Sequence, residues 1–393
     1  MSRPVIFGQP HFGPEEEERV LGVLRSGWIG QGPVVIEFER RFGEYVDAPK
    51  VVTVSSCTSA LQLSLAVADL PSGAEVVTTP FTFIATLNAI DLHGATPVLV
   101  DIDPDTLAPS PEAVRDAITS DTAAVVPVHF GGLPVDTAAF DAICQDHGLW
   151  LIEDAAHAFG AIGAGHRIGH PRHDRHLTCF SFYPNKNLAS AEGGAITLRS
   201  ASLADRLRRL RLHGLDADAW QRFATEYRAA ALASETGHKA NWTDLQAAIG
   251  LVQLEKAEGL LATREMLADH YDTLIGASID GITIRPRPRP GLDVRHALHL
   301  YQVIVEAGRA ERDRILLDLR SRGIGAAVHY IAVHLHPAHR NRWTADLPNA
   351  TWASEHLLSL PLHPGMSTAD VERVVSELAE VAACRTSSRE EGS

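Results

Sequence analysis

Lysine is scarce in this 393-residue chain, occurring only at Lys50, Lys186, Lys239 and Lys256, so arginine supplies nearly all of the positive charge. Basic residues are outnumbered, 35 Lys and Arg against 49 Asp and Glu, for a formal charge of −14. Such a surface repels phosphate backbones at long range and argues against nucleic acid as a partner. A small anion can still be held by a few cations, hydroxyls and helix-terminal N–H groups. Cysteine is equally sparse. Cys57, Cys144, Cys179 and Cys384 lie far apart with no C-x-x-C pair, which excludes a zinc ribbon or disulfide framework and suits a reducing cytoplasm. No apolar run approaches bilayer-spanning length, and Met1–Pro10 has no signal-like apolar core. A soluble, cytoplasmic protein without a membrane partner is therefore expected.

What is present is a globular composition, 45% apolar, with a length that suggests roughly two to three domains. Residues 14–26 read as an amphipathic helix with acids in its first turn; Gly27–Pro33 breaks it, and a second helix follows through Phe42. Short apolar runs at 51–54, 75–78, 97–101, 123–128, 149–152, 179–182 and 195–198 then alternate with helical segments. That alternation predicts an α/β fold with a mostly parallel sheet covered on both faces. From Thr243 to His270 the pattern predicts one long helix with Gly259 as its weak point. Beyond it, strands at 282–284, 299–305 and 326–329 and helices at 309–322 and 368–382 suggest a smaller α+β domain. The expected division is 1–255, 256–385 and a disordered polar tail at 386–393.

Three segments carry the chemistry. In Val51–Leu61 an apolar strand runs into Ser55-Ser-Cys-Thr-Ser59 at a helix start, which can cradle a phosphate or simply cap the helix. In Leu149–His157 four apolar residues end in Glu153 and Asp154. An acid at the carboxyl end of a buried strand can hold a pyridinium N–H, cap a helix or bind a metal. In Cys179–Gly194, Lys186 lies between an aromatic strand and a glycine pair. An exposed loop lysine is the ordinary reading; a confined, apolar setting would make it a Schiff-base lysine. The order cradle, acid, lysine favours the second, and Ser181 lies close enough in sequence to reach the same phosphate.

These segments resemble the DegT/DnrJ/EryC1/StrS family of sugar aminotransferases, pyridoxal-phosphate enzymes of fold type I. The match runs from Ser26-Gly-Trp-Ile-Gly30 to Leu360-Pro-Leu-His-Pro364 and includes Glu153–His157, Phe180–Lys186, Glu192–Gly194 and Val328–Tyr330. The resemblance implies a large cofactor-binding domain and a smaller C-terminal one. It implies Lys186 as covalent anchor and proton shuttle, Asp154 at the pyridine nitrogen and His157 near the phenolic oxygen. Phe83 would stack on the ring, and Thr58, Ser59 and Ser181 would hold the phosphate. Trp28, Tyr183, His329 and Tyr330 would approach the substrate. Lys239 or Asn241, with Asn241 preferred, would reach the phosphate of a second subunit, implying a homodimer with shared sites.

The implied reaction aminates a keto-sugar nucleotide, favoured as 4-keto and dTDP- or UDP-linked. Glutamate, or else glutamine, is the donor, and the cofactor alternates with pyridoxamine phosphate. A keto-cyclitol substrate, a dehydratase and a non-catalytic homologue are the alternatives; Lys186 speaks against the dehydratase, which has histidine there. Two departures stand out. Cys57 replaces a common glycine in the phosphate turn, and Ala240 replaces a common aromatic expected at the pocket rim. The histidines at 166, 170, 173 and 176 are read as a loop rather than a metal site, and His334, His336 and His339 as surface residues. Gly160–Gly165 has the wrong spacing for a dinucleotide loop.

Overall fold

The computed structural model describes residues 3–216, 220, 231–276, 279, 282–284, 293–339, 342–343 and 345–390. Two N-terminal helices, α1 (Pro14–Ser26) and α2 (Pro33–Val46), precede the first strand, β1 (Lys50–Val54). There follow α3 (Cys57–Val67), β2 (Glu75–Thr78), α4 (Ala85–Leu92), β3 (Thr96–Leu99), α5 (Pro111–Asp116), β4 (Thr122–Val126), α6 (Thr137–His147) and β5 (Trp150–Asp154). A two-residue hairpin, β6 (Ile162–Gly163) and β7 (His166–Arg167), leads to β8 (His176–Ser181), β9 (Gly194–Leu198) and α7 (Ala201–Leu210).

These strands form a seven-stranded sheet in the order β1-β9-β8-β5-β4-β2-β3. Pairing is parallel from β8 through β5, β4 and β2 to β3, and β9 runs antiparallel to both neighbours. Alternation sorts the side chains onto two buried faces. Val76, Ala124 and Ile152 pack with Ala60–Val67 of α3, whereas Val77, Val125 and Leu151 pack with Val114, Phe140 and Cys144 of α5 and α6. Burial on both sides is why these strands read as continuous apolar runs.

The register fixes where the chemistry can occur. Val54 and Ser181 both pair with Gly194, and Asp154 pairs with Cys179. The carboxyl ends of β1, β5 and β8 and the start of β9 therefore meet at one edge, where open α/β sheets bind ligands. At Gly194 an added Cβ would lie 2.6 Å from Phe180 O and 2.8 Å from Cys57 N, so the absence of a side chain lets β9 pack against the start of α3.

Helix α2 is fixed to the sheet by aromatic packing. Phe38 lies 4.8 Å from Trp242 and 5.4 Å from Phe182, centroid to centroid, and Phe42 lies 5.2 Å from Phe180. Its N-cap, Gly32, has no capping side chain. The buried carboxylate of Asp244 serves instead, accepting from Gly32 N at 2.8 Å and Val35 N at 3.0 Å.

The long helix expected from Thr243 is two helices, α8 (Asp244–Glu255) and α9 (Ala257–Ile275). The break falls at Lys256, with φ −85° and ψ −4°, whose ammonium is drawn to Glu16 at 2.8 Å; Gly259 stays helical. After α9 come β10 (Ile282–Ile284), β11 (Tyr301–Val305), α10 (Arg309–Ser321), α11 (Pro348–His356), β12 (Leu357–Leu360) and α12 (Thr368–Glu390). The second sheet is β10-β11-β12, antiparallel, and packs with α9, α10 and α12 around a separate core that includes Tyr271, Val303, Ile315 and Leu378. Its third strand is β12 and not the expected 326–329, which contributes a single bridge, Ala327 to Ser359. Residues 391–393 of the expected tail lie outside the described residues, and no described helix is long and apolar enough to cross a membrane.

Candidate active site

At the sheet edge lies a cavity of about 490 Å³ whose lining includes Thr58, Phe83, Asp154, His157, Ser181, Tyr183, Lys186, His329 and Tyr330. Nine residues singled out in the sequence thus converge from five separate segments. Trp28, Lys239 and Asn241 line a different, more open recess of about 500 Å³ with Ile29, His213 and Leu215. Ser59 lines neither: its N–H and hydroxyl are both 3.1 Å from the hydroxyl of Ser56, the N-cap of α3. Ser59 therefore participates in the capping arrangement.

Lys186 follows β8 in a tight turn, its N–H donating to Tyr183 O. The side chain is half-buried. Burial brings its amine down to about 8, opposed by Cys57 and Asp154, which favour the charged form. The Cys57 thiol is itself kept protonated by burial, so near neutral pH the carboxylate of Asp154 is the effective opposing charge.

Asp154 and Glu153 point to opposite faces of β5, as alternation requires. Asp154 Oδ2 accepts from Thr86 Oγ1 at 2.8 Å and Oδ1 from Ala156 N at 3.1 Å, with the Cys57 thiol 3.9 Å away. Cys57 is the first residue of α3, and its side chain turns inward beneath the site, which is how the turn tolerates it. Glu153 faces away, accepting from Thr178 Oγ1 at 2.8 Å, with His176 Nε2 at 3.2 Å and His129 Nε2 at 3.7 Å. Despite the cost of burial, these histidines hold its carboxyl well below the usual range. His176 thus belongs to a buried strand rather than a loop, and His339 is buried rather than superficial. Ala240 lies in the core beside β1 rather than on a pocket rim.

The protonation of His157 can be read from its partners. Nδ1 accepts from Gly131 N at 3.2 Å, so that nitrogen carries no proton. Burial first, then the charges of Lys186 and His329, hold the ring well below its ordinary value. The proton of the neutral imidazole is therefore on Nε2, which donates to Tyr330 Oη at 3.1 Å. Burial keeps the Tyr330 phenol protonated, leaving its own proton free for another acceptor. His329, brought down to about 4 by burial and Lys186, contacts Ser359 Oγ through Nδ1. Behind His157, the His299 ring packs at 4.3 Å, tilted by 33°, and contacts Asn187 Oδ1 at 3.3 Å. No sequence signal marks His299, whereas Thr86 lies three residues from Phe83 and Asn187 next to Lys186, neither with an expected role.

The donor set fits pyridoxal phosphate. In the first turn of α3 the N–H groups of Cys57 and Thr58 have no intrahelical acceptor, and the Thr58 and Ser181 hydroxyls share the cavity with them. Asp154 supplies a carboxylate for a ring nitrogen and Lys186 an amine of lowered basicity; Phe83, 57% exposed, offers an aromatic face at the rim. On the surface, Asp47, His166 and His170 have metal-ligand spacing. Their imidazoles, however, lie nearly parallel at 4.2 Å, so the nitrogen lone pairs run side by side, and His170 Nδ1 is already 2.9 Å from Asp47 O.

The family model described as DegT/DnrJ/EryC1/StrS aminotransferase matches residues 10–379. An uncharacterized protein of Methanocaldococcus jannaschii is 38% identical over 95% of this chain and 96% of its own length. The putative sugar aminotransferase Spr1654 of Streptococcus pneumoniae, solved in its PMP form, superposes with a TM-score of 0.87 at 31% identity over 96% of this chain and 98% of that one. The aminotransferase TlmJ of Streptoalloteichus hindustanus gives a TM-score of 0.87 at 32% identity over 97% of this chain and 100% of that one.

Proposed function

The chain belongs to the DegT/DnrJ/EryC1/StrS aminotransferase family, and from that premise we propose that it aminates a keto-sugar nucleotide with pyridoxal phosphate held at Lys186. The observation that carries this reading is the convergence of Lys186, Asp154 and the N-terminus of α3 on one cavity. Bound there, the cofactor supplies an electron sink for bond cleavage at an amino-bearing carbon.

The residues of the chain divide the work. Lys186 Nζ anchors the cofactor, and an amine of value about 8 can both accept and return a proton near neutral pH. Asp154 keeps a proton on the ring nitrogen. The α3 N–H groups with Thr58 and Ser181 bind the phosphate, and Phe83 covers the ring. His157 keeps its proton on Nε2 and aims it at Tyr330, whose hydroxyl can then donate to an oxygen in the cavity.

Among the described residues lining this cavity, Lys186 is the only lysine or arginine, too little to neutralise a cofactor phosphate and a nucleotide diphosphate together. The recess bearing Trp28, Lys239 and Asn241 offers the missing donors if a second copy presents it, and Ile29 beside it is 51% exposed. We therefore assign Asn241, with Lys239 next to it, to the partner's phosphate in a homodimer. The 4-keto position, the dTDP or UDP carrier and glutamate as donor follow from the family resemblance.

Purified protein loaded with pyridoxal phosphate is reduced with borohydride and mapped by peptide mass spectrometry. The cofactor is expected on Lys186; attachment elsewhere would overturn the assignment. A panel of 4-keto and 3-keto sugar nucleotides and keto-cyclitols, each with glutamate or glutamine, is then assayed for the aminated product. Turnover of keto-cyclitols alone would refute the sugar-nucleotide reading.

A further inference from the structure

Thr86 lies one layer behind the cavity, 1% exposed, in the first turn of α4. Its Oγ1 is 2.8 Å from Asp154 Oδ2 and 3.0 Å from Thr82 Oγ1. A carboxylate accepts and cannot donate, so the single Thr86 proton goes to Asp154. Thr82 must then donate to Thr86, and the two hydroxyls form a chain directed at the carboxylate. Thr82 and Asp154 both line the cavity. On the other oxygen, Oδ1, Ala156 N donates at 3.1 Å. With one donor fixed on each oxygen, the carboxylate plane cannot rotate without breaking a bond. The same contact ties the turn carrying Phe83 to the strand carrying Asp154.

We propose that Thr86 is a positioning residue that sets the orientation of the Asp154 carboxylate, with Thr82 orienting Thr86 in turn. The proposal rests on the reading of Asp154 as partner of the cofactor's ring nitrogen. Thr86→Val removes the hydroxyl and retains the volume; Thr86→Ser retains the hydroxyl. Losing one hydrogen bond to a charged group predicts a drop of roughly 10- to 100-fold in kcat for Thr86→Val, with KM for the amino donor little changed. The spectrum supplies a readout besides activity. A less firmly held ring proton withdraws less charge from the nitrogen joined to Lys186, so the pH midpoint of the visible band moves upward. Thr86→Ser restores both values, and Thr82→Val gives a smaller shift in the same direction.

Wild-type kcat and midpoint in Thr86→Val would overturn the proposal, as would a Thr86→Ser variant impaired as much as Thr86→Val, which would indicate methyl packing. Should Thr86→Val fail to fold, Thr82→Val and Thr86→Ser decide by the same midpoint. Wild-type protein that takes up no pyridoxal phosphate overturns the functional reading as well. A loaded wild type with an indistinguishable Thr86→Val overturns this proposal alone.

Discussion

The amine of Lys186 makes a quantitative prediction about cofactor uptake. Only the neutral amine can attack an aldehyde, and burial places its pKa at about 8 instead of the ordinary lysine value of 10.5. At pH 7 the neutral fraction is then about 1 in 11, against about 1 in 3,000 for an ordinary lysine, a gain of roughly 300-fold. Cofactor-free protein mixed rapidly with pyridoxal phosphate should therefore show a capture rate that rises ~10-fold per pH unit below about 8 and levels off above it. An absorbance stopped-flow series from about pH 6 to 10 measures this directly. Asp154 supplies an internal check. Its carboxylate favours the charged ammonium, so Asp154→Asn should move the midpoint to lower pH even though it weakens the finished complex. A rate that keeps climbing through pH 10, as an exposed lysine would give, refutes the reasoning, and so does an upward move of the midpoint in Asp154→Asn.

Three further outcomes are expected. Tyr330→Phe should retain the fold, because the ring already packs 5.9 Å from both Phe83 and Phe130. It strands the His157 Nε2 proton, however, and should lower turnover ~10-fold or more; unchanged turnover removes that hydroxyl from the reaction. Glu153→Gln, which takes the charge from a buried carboxylate that accepts from Thr178 and faces two histidines, should cost about 1.5–3 kcal/mol in urea unfolding. Because the folded carboxyl lies well below the ordinary glutamate value of 4.5, its stabilisation is full above the unfolded value and is lost as pH falls through the folded one. The wild type should therefore lose stability in acid along a limb that the variant lacks, and parallel acid limbs would count against it. Gly194→Ala forces a methyl to within 2.6 Å of Phe180 O and 2.8 Å of Cys57 N, so β9 or the start of α3 must shift. Weaker pyridoxal phosphate binding, measured by fluorescence titration, is the expected result, and wild-type affinity would argue that the turn is compliant.

Much was legible in the sequence for a local reason. Helix α1 and strands β2 and β10 fall where periodicity placed them, because amphipathic spacing and continuous β-branched runs are properties of a few adjacent residues. Lys186 and Asp154 were legible because a lone lysine and a strand-end acid stand out in a chain of this composition. The pattern from Thr243 to His270 predicts one helix with Gly259 as its weak point, whereas the structure divides it at Lys256 and keeps Gly259 helical. Glycine is the weaker helix former, yet the junction falls at Lys256, whose ammonium pairs with Glu16, some 240 residues distant in the chain.

The sequence by itself therefore determined the α/β class and the chemical inventory of the site. Tertiary structure decided how those groups are used, because strand register and helix approach set distances that no local window contains. It placed Trp28, Lys239 and Asn241 in a recess of their own and assigned Ser59 to the cap of α3. It turned Glu153 away from Asp154 into a histidine cluster, fixed the tautomer of His157 through Gly131 N, and put Thr86 behind Asp154. Each of these depends on a donor and an acceptor brought together from separate segments, and hydrogen bonds are specified at tenths of an ångström, which only the packed chain defines.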